Sequence, residues 1–189
     1  ADEPKPRKVR SMKQENRWAP VNTASGKVDN DSPSTAPSGE RVELAETPCA
    51  PGEPIARTLA VHAGQLYAQS ITPVPGIRPG LPIVNLELGE VEYMTSLLIT
   101  GAVQAMPRGG LLWVVVYEER VWAGAFALLR GAVLRPGCYV VLAVKDTGPG
   151  RVPELDAIEE VVAPRGGGII WHAPPSQGTR VNVYLPVAH

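Results

Sequence analysis

Aromatic residues and cysteines are scarce in this chain of 189 residues. There is a single Phe, so we expect the core to consist mainly of Val, Leu, Ile and Ala. The two cysteines, Cys49 and Cys138, are too few and too far apart for a disulfide framework or a metal site. We therefore expect two unpaired, buried thiols in a reducing compartment.

Long apolar runs and an excess of charge of one sign are also lacking. The longest apolar runs, such as residues 111–117, have the length of a strand, so we expect no transmembrane segment. The formal net charge of −1 gives no overall argument for a nucleic acid or an acidic partner. We find no signal peptide and expect a cytoplasmic location. Because the chain begins at Ala1 rather than Met, an organelle reached after loss of a targeting segment is the alternative.

Residues 1–48 lack apolar periodicity and are rich in Pro, Ser, Lys, Asp and Asn. Such a segment buries too little surface to offset the entropy of ordering. We predict an extended or disordered tail, followed by one folded domain over residues 49–189. The tail carries a basic run closed by an aromatic side chain: Lys5, Arg7, Lys8, Arg10, Lys13, Arg17 and Trp18. We expect this run to bind a protein partner; a nucleic acid, a membrane surface and a solvated linker are the alternatives.

Helices and strands interleave in the rest of the chain. Apolar spacing predicts helices over residues 54–67, 90–106 and 153–162, and strands over residues 69–74, 111–118, 139–145, 169–172 and 179–185. A Pro/Gly loop is predicted over residues 75–82, and residues 121–134 are ambiguous. Because there is no regular βαβ alternation, we predict an α+β fold. Its architecture would be a two-layer α/β sandwich in which helices cover one face of a mixed sheet.

The motif with the clearest chemical meaning is Asp146-Thr147-Gly148-Pro149-Gly150, directly after an apolar strand. Two spaced glycines predict a tight turn whose backbone can approach a ligand closely. The Asp146 carboxylate would then accept a hydrogen bond from a donor such as an exocyclic amine. The same pattern also forms ordinary turns, so it can equally hold a turn and a strand pairing.

In its context this motif resembles the adenine-binding box of the histidine-kinase-like ATPases, the GHKL or Bergerat-fold family of bacterial sensor histidine kinases. Residues 134–145 resemble the family's strand before that box, and residues 97–110 resemble its N-box helix and the loop after it. Residues 167–171, 176–179 and 183–186 resemble its last two strands. All occur in the family's order. The resemblance implies a Bergerat-type sheet and places four residues at the adenine end of a nucleotide site: Asp146, Gly148, Gly150 and Thr179.

The departures from the family concern the phosphate end of that site. The N-box helix of the family carries two asparagines four apart, the second of which binds Mg²⁺. Leu97 and Gly101 stand at these positions, and neither side chain supplies the oxygen that a hard cation requires. The family's long lid and its second glycine box, which opens a helix and cradles phosphates, are also missing after Gly150. The glycines at 166–168 precede a predicted strand and do not replace that box.

Other candidate chemistry is weaker. His62 lies on the apolar face of a predicted helix, which favours a packed imidazole over a phosphoacceptor. His172 and His189 have no Cys or carboxylate at ligand spacing, so we expect no metal site. Ser176 has no nearby base and falls in a predicted turn, so nucleophilic catalysis is not supported.

We therefore expect a pseudoenzyme: a non-catalytic pseudo-ATPase domain, without cofactor, that acts as a protein-interaction or scaffold subunit of a larger assembly. The alternative is an atypical ATP-binding catalytic domain of a sensor histidine kinase, or a two-component phosphotransfer protein. Under that alternative the domain binds ATP without a well-formed magnesium site.

Overall fold

The computed structural model describes residues 47–122, 134–150 and 154–188. All of them belong to one compact unit, residues 43–189. The basic run of the tail, most of the ambiguous stretch at 121–134 and His189 lie outside the described residues.

Helices and strands interleave as predicted. Within the described residues the α-helices are α1 (Gly52–Val61), α2 (Ala63–Ala68), α3 (Leu88–Ala105) and α4 (Asp156–Val162). A short 3₁₀ helix, Ala163–Arg165, follows α4. The strands are β1 (Ile71–Ile77), β2 (Gly110–Val121), β3 (Gly137–Asp146), β4 (Gly168–His172) and β5 (Arg180–Pro186).

The strands form one mixed sheet in the order β1-β2-β3-β5-β4. β1 pairs parallel with β2, and the other pairings are antiparallel. Even-numbered side chains of β2 and β3 point to one face, where α1, α3 and α4 bury them, among them Leu112, Val114, Leu142 and Val144. The predicted α+β sandwich, with helices over one face of a mixed sheet, is confirmed.

Helix α3 forms one wall of the candidate functional site. Its start is fixed by a capping box, in which Glu87 and Glu90 each accept a hydrogen bond from the other's backbone N–H. Its predicted apolar stripe is buried: Val91, Met94, Leu98, Ala102 and Ala105. Glu90 also forms a salt bridge of 2.8 Å with Arg165, which ties α3 to the segment after α4.

Two predicted boundaries were wrong. The helix predicted over residues 54–67 is divided at His62, whose backbone has φ −82° and ψ −4°. The strand predicted to end at Val74 continues to Ile77, through part of the predicted Pro/Gly loop. The prolines at 73 and 75 are compatible with this because β1 lies at an edge of the sheet, where alternate N–H groups have no strand to meet.

The outer face of the sheet, away from the helices, carries a second apolar cluster centred on Tyr139, Val141 and Tyr184. The two tyrosine rings meet edge to face with 6.0 Å between their centroids. Burial raises the pKa of Tyr184, and the negative charge of Glu119 raises it further. None of the described helices is long and apolar enough to cross a membrane.

Candidate functional site

Asp146 is the last residue of β3 and is only 4% exposed. Its Oδ1 accepts hydrogen bonds from the backbone N–H groups of Gly148, at 2.7 Å, and Thr179, at 3.1 Å. Its own backbone N–H donates to the Thr179 carbonyl at 2.9 Å. The carboxyl group therefore ties the end of β3 to its own turn and to the residue before β5.

The glycines of the motif are required by close backbone packing. A Cβ at Gly148 would lie 2.8 Å from the carbonyl oxygen of Ala105, and one at Gly150 would lie 2.1 Å from that of Pro174. Gly150 also has a φ of +76°, which L side chains rarely adopt. Gly148 thus packs against the end of α3, and Gly150 against the turn that precedes β5.

Thr147 connects the motif to the start of β2. Its Oγ1 accepts the N–H of Leu111 at 3.0 Å and donates to the sulfur of Met106 at 3.7 Å. The end of α3, the start of β2 and the turn after β3 are therefore held together by one hydroxyl group. Asp146, Thr147, Gly148 and Gly150 therefore each have a structural task that requires no ligand.

A cleft of about 360 Å³ opens between α3, α4 and the adjoining ends of β3 and β5. Its apolar walls include Leu98, Val144, Leu155, Ile158 and Val181. Asp146 and Thr179 line the sheet side of this cleft. Of the four predicted adenine-end residues, the structure thus brings these two to the cleft, whereas Gly148 and Gly150 fix the turn beside it.

The two N-box positions also face the cleft. Leu97 is half-buried and Gly101 is exposed, and both belong to its lining. A Cβ at Gly101 would meet no atom within 4 Å, so the absence of a side chain there leaves open space. Neither side chain can contribute an oxygen ligand to a cation.

The charged lining of the cleft is acidic. Among the described residues that line it, Asp146 and Glu154 are ionisable and none is Lys, Arg or His. Helix α4 begins at Asp156, only six positions after Gly150, and Asp156 lies in its first turn. Within the described lining, the donor set does not match a magnesium–triphosphate group, because it holds neither paired amide oxygens nor a cation to neutralise phosphate. The described residues also contain no group of three or more His, Cys, Asp or Glu that could hold a metal.

Three polar residues of the cleft were not predicted from the sequence: Thr100, Gln104 and Glu154. Thr100 and Gln104 lie on the same face of α3 as Leu97 and Gly101, at helical steps of three and four residues. That spacing was a usable signal once the helix was assigned. Glu154 carried no comparable signal, because it lies in an irregular segment whose position is set by the fold of the whole domain.

The remaining candidate groups lie away from the cleft lining. His62 is half-buried: its Nδ1 bonds the Thr58 carbonyl at 2.9 Å and its Nε2 bonds the Ser96 hydroxyl at 3.2 Å, so the ring joins α1 to α3. Both cysteines are free and half-buried rather than fully buried. Burial, followed by the charge of Glu90, raises the pKa of the Cys49 thiol, which lowers the fraction of reactive thiolate.

Comparison with known proteins gives matches of structure alone. A scan against family models finds no match, and a search of curated proteins finds none either. Among solved structures, that of full-length ShkA in complex with AMPPNP matches with a TM-score of 0.55 and 16% identity. The match covers 78% of this chain but only 32% of ShkA.

Two further matches span nearly whole structures. The mycobacterial sensor histidine kinase MprB matches with a TM-score of 0.55 and 19% identity, over 75% of this chain and 98% of that structure. The catalytic domain of the histidine kinase ThkA matches with a TM-score of 0.57 and 13% identity, over 75% of this chain and 95% of the domain. The chain therefore has the histidine-kinase-like ATPase fold that its sequence blocks predicted.

Proposed function

We propose that this domain is a non-catalytic pseudo-ATPase that serves as a protein-interaction or scaffold subunit. The observation that carries the proposal is the composition of the cleft. Leu97 and Gly101 stand where the N-box carries its two asparagines, the second of which binds Mg²⁺, and Asp146 and Glu154 supply acidic rather than basic charge. The described walls of the cleft are apolar, and they lack the amide and basic side chains that would bind magnesium and phosphate.

Phosphoryl transfer depends on such groups almost entirely. Catalysis of this reaction consists of positioning the transferred phosphoryl group and stabilising its charge with metal ions, cations and backbone N–H groups. An acidic side chain at the first turn of α4 would instead repel phosphate, since the positive end of that helix is already compensated. The short connection from Gly150 to Asp156 also leaves no length for a lid that excludes water.

A nucleotide-binding domain is the second candidate. It is favoured by the cleft of about 360 Å³ and by the buried Asp146 and Thr179 at its sheet side. One protein of the same fold, ShkA, was solved with AMPPNP bound. Under this hypothesis the chain binds the base of a nucleotide and handles its phosphates poorly.

We expect no ATP hydrolysis and no autophosphorylation. Purified protein with Mg²⁺ and labelled ATP should release phosphate no faster than buffer, because the site lacks its metal ligands. Titration calorimetry with ATP and Mg²⁺ should likewise show no saturable binding. Clear turnover that is abolished in Asp146→Asn would refute the proposal, and saturable binding without turnover that is lost in Asp146→Asn would favour the second candidate.

A variant with both Leu97→Asn and Gly101→Asn separates loss of the metal ligands from loss of the fold. Space beyond Gly101 is open, so the added amide is expected to be tolerated. If the missing amide oxygens limit binding, this variant should bind ATP at least about tenfold more tightly in Mg²⁺ than in EDTA. Equal Mg²⁺-dependent binding by the unaltered chain would show that its cleft already holds the metal.

An interaction role is supported by the basic run of the tail. Six basic side chains lie between Lys5 and Arg17, followed by Trp18, in a chain whose net charge is close to zero. A segment that orders on binding loses entropy, so its affinity must come from many weak charge contacts and one or two anchors. We therefore expect the tail to supply much of the attachment to a partner.

That attachment should weaken steeply as salt rises, since exposed charge contacts are screened beyond a Debye length of about 8 Å at physiological ionic strength. The measurement is retention of the protein that co-purifies with the native chain, at stepped salt concentrations. Replacing the six basic residues with Gln should reduce retention far more than Asp146→Asn does, and Trp18→Ala should reduce it without changing the salt slope. Equal retention in high salt would place the interface on the folded domain instead.

A further inference from the structure

The outer face of the sheet changes in character along its strands. At one end, the apolar cluster around Tyr139, Val141 and Tyr184 is buried. At the other end, where β3 runs into the Asp146 motif, most outer-face side chains are exposed. These exposed side chains are therefore accessible to a partner.

Three basic side chains lie side by side at the exposed end. Lys145 of β3 is directly opposite Arg180 of β5, which is in turn directly opposite His172 of β4. Directly opposite residues share a face, and Lys145 is on the outer face because even-numbered side chains of β3 point toward the helices. All three are exposed. With strands about 4.8 Å apart, this basic row spans about 10 Å.

The central pair of the basic row is unfavourable for the isolated domain. Like charges that are directly opposite on neighbouring strands destabilise the pairing, and Lys145 and Arg180 stand in this relation. Among the described residues, no carboxylate forms a salt bridge with Lys145 or His172. An anionic partner would remove this repulsion, so the row is complementary to negative charge.

One carboxylate offsets part of this charge. Burial raises the pKa of Tyr117, the charge of Glu119 raises it further and that of Arg180 lowers it, so both groups act on this hydroxyl. Arg180 also donates from Nε to Oδ1 of Asn182 at 3.1 Å. Glu119 is six residues along β2 from the strand partner of Lys145, or about 20 Å. Its charge is therefore largely screened from Lys145.

An exposed apolar patch adjoins the basic row on β2 and β1. Trp113 is directly opposite Lys145, and Val74 pairs with Trp113 from β1. Leu111 lies two residues before Trp113 and so on the same face. Val74 is 37% exposed and Leu111 is 40% exposed, so both have apolar surface free for a contact. The Lys145 ammonium lies over the Trp113 ring, 5.2 Å from its centroid, and thus at the border of the patch.

We propose that this surface binds an acidic segment of a protein partner that carries an apolar anchor. The anchor covers the apolar patch, and the carboxylates pair with the basic row. Along an extended peptide, residues i, i+2 and i+4 share one side at steps of about 7 Å. From the midpoint between Val74 and Trp113, Lys145 lies about 7 Å away and Arg180 about 12 Å away across the strands. The spacing therefore fits an apolar residue at i and acidic residues at i+2 and i+4.

A single-stranded nucleic acid fits the surface less well. Such ligands are held by aromatic rings on which successive bases stack. The Lys145 ammonium already lies over the Trp113 ring, and Val74 and Leu111 offer no second ring. Carboxylates need only the exposed cations, and an aliphatic anchor matches the aliphatic side chains. The inference rests on the proposed interaction role and supplies the chemistry of one contact.

NMR titration of the isotope-labelled full chain tests the inference. The probe is an acetylated and amidated peptide of sequence Ser-Leu-Ser-Glu-Ser-Glu-Ser, and its matched control has Gln in place of both Glu residues. The acidic peptide should bind with a Kd on the order of 1 mM and shift the amides of Trp113, Lys145 and Arg180. The control should bind about fourfold more weakly or worse, since each exposed charge pair contributes a factor of roughly two.

Four variants locate the contact. Lys145→Gln and Arg180→Gln should each raise the Kd of the acidic peptide about two- to fivefold. Arg135→Gln removes one exposed positive charge outside the basic row and should leave the Kd unchanged. Leu111→Thr keeps a residue suited to a strand and removes apolar surface, so it should weaken both peptides by a similar factor, about threefold.

Three results would overturn the inference. These are equal binding of the two peptides, shifts confined to the basic run of the tail, and an unchanged Kd in both Lys145→Gln and Arg180→Gln. Binding of oligothymidylate at these amides without binding of the acidic peptide would also overturn it and assign the surface to nucleic acid. The proposed function fails separately, because ATP turnover concerns the cleft and is measured without any peptide.

Discussion

Gly178→Ala is expected to destabilise the domain by about 3–5 kcal/mol, one of the largest effects of any single methyl group in this chain. Gly178 has a φ of +82°, and a Cβ there would lie 2.0 Å from the carbonyl oxygen of Asp146. The neighbouring atom is backbone at the end of β3, so it cannot rotate away as a flexible side chain would. Relief of the clash would require the turn before β5 to move away from the motif. Urea unfolding at equilibrium measures the change.

Gly101→Ala is the control for the loss of glycine as such. Gly101 lies inside α3, and an added Cβ meets no atom within 4 Å. Ala is favoured over Gly in a helix interior, so this variant should stabilise the domain by about 0.5–1 kcal/mol. A destabilisation of Gly178→Ala no larger than about 1 kcal/mol would show that the turn adapts, and that the close approach to Asp146 is dispensable.

The fold could be predicted because its signal was spread over several blocks in a fixed order. The strand before Asp146, the helix with Leu97 and Gly101, and the closing strands each form an element of the expected type. The glycine run at 166–168 leads into a strand, as predicted, and not into a helix, since β4 begins at Gly168. Local patterns were sufficient here because each block combines an apolar period with its own turn residues.

Boundaries were less predictable, because they depend on contacts that the local sequence does not contain. β1 continues through Pro73 and Pro75 because its partner β2 lies on one side only and uses the even-numbered residues. The division at His62 accompanies hydrogen bonds from its ring to Thr58 and to Ser96, and Ser96 lies 34 residues away. The edge position of β1 and the hydrogen bond between His62 and Ser96 are both properties of the tertiary structure.

Among the residues of the cleft, too, some could be predicted from the sequence and others could not. Asp146 was identified because one short motif contains it, and the N-box positions were identified through the resemblance. Leu155 and Ile158 form a wall opposite α3 because α4 packs against both α3 and β4. The acidic character contributed by Glu154 therefore became visible only in three dimensions, although it bears directly on whether phosphate is accepted.

Asp146→Ala is expected to destabilise the domain by about 2–4 kcal/mol, because two backbone N–H groups would lose their acceptor. Oδ1 of this residue accepts the N–H of Gly148 at 2.7 Å and that of Thr179 at 3.1 Å. Asp146→Asn keeps an acceptor oxygen of the same shape, so its cost should be about 1 kcal/mol. Thermal and urea unfolding of both variants, without nucleotide, give the comparison.

The comparison of these two variants distinguishes a structural role of Asp146 from a role in ligand binding. A large cost for Ala and a small one for Asn would mean that the side chain holds the end of β3 to the segment before β5, which requires no ligand. If both substitutions cost less than about 0.5 kcal/mol, the two hydrogen bonds would not matter for stability. The buried carboxyl group would then need another explanation, and the nucleotide-binding hypothesis would gain support, since a ligand's donor would be the remaining partner for a side chain only 4% exposed.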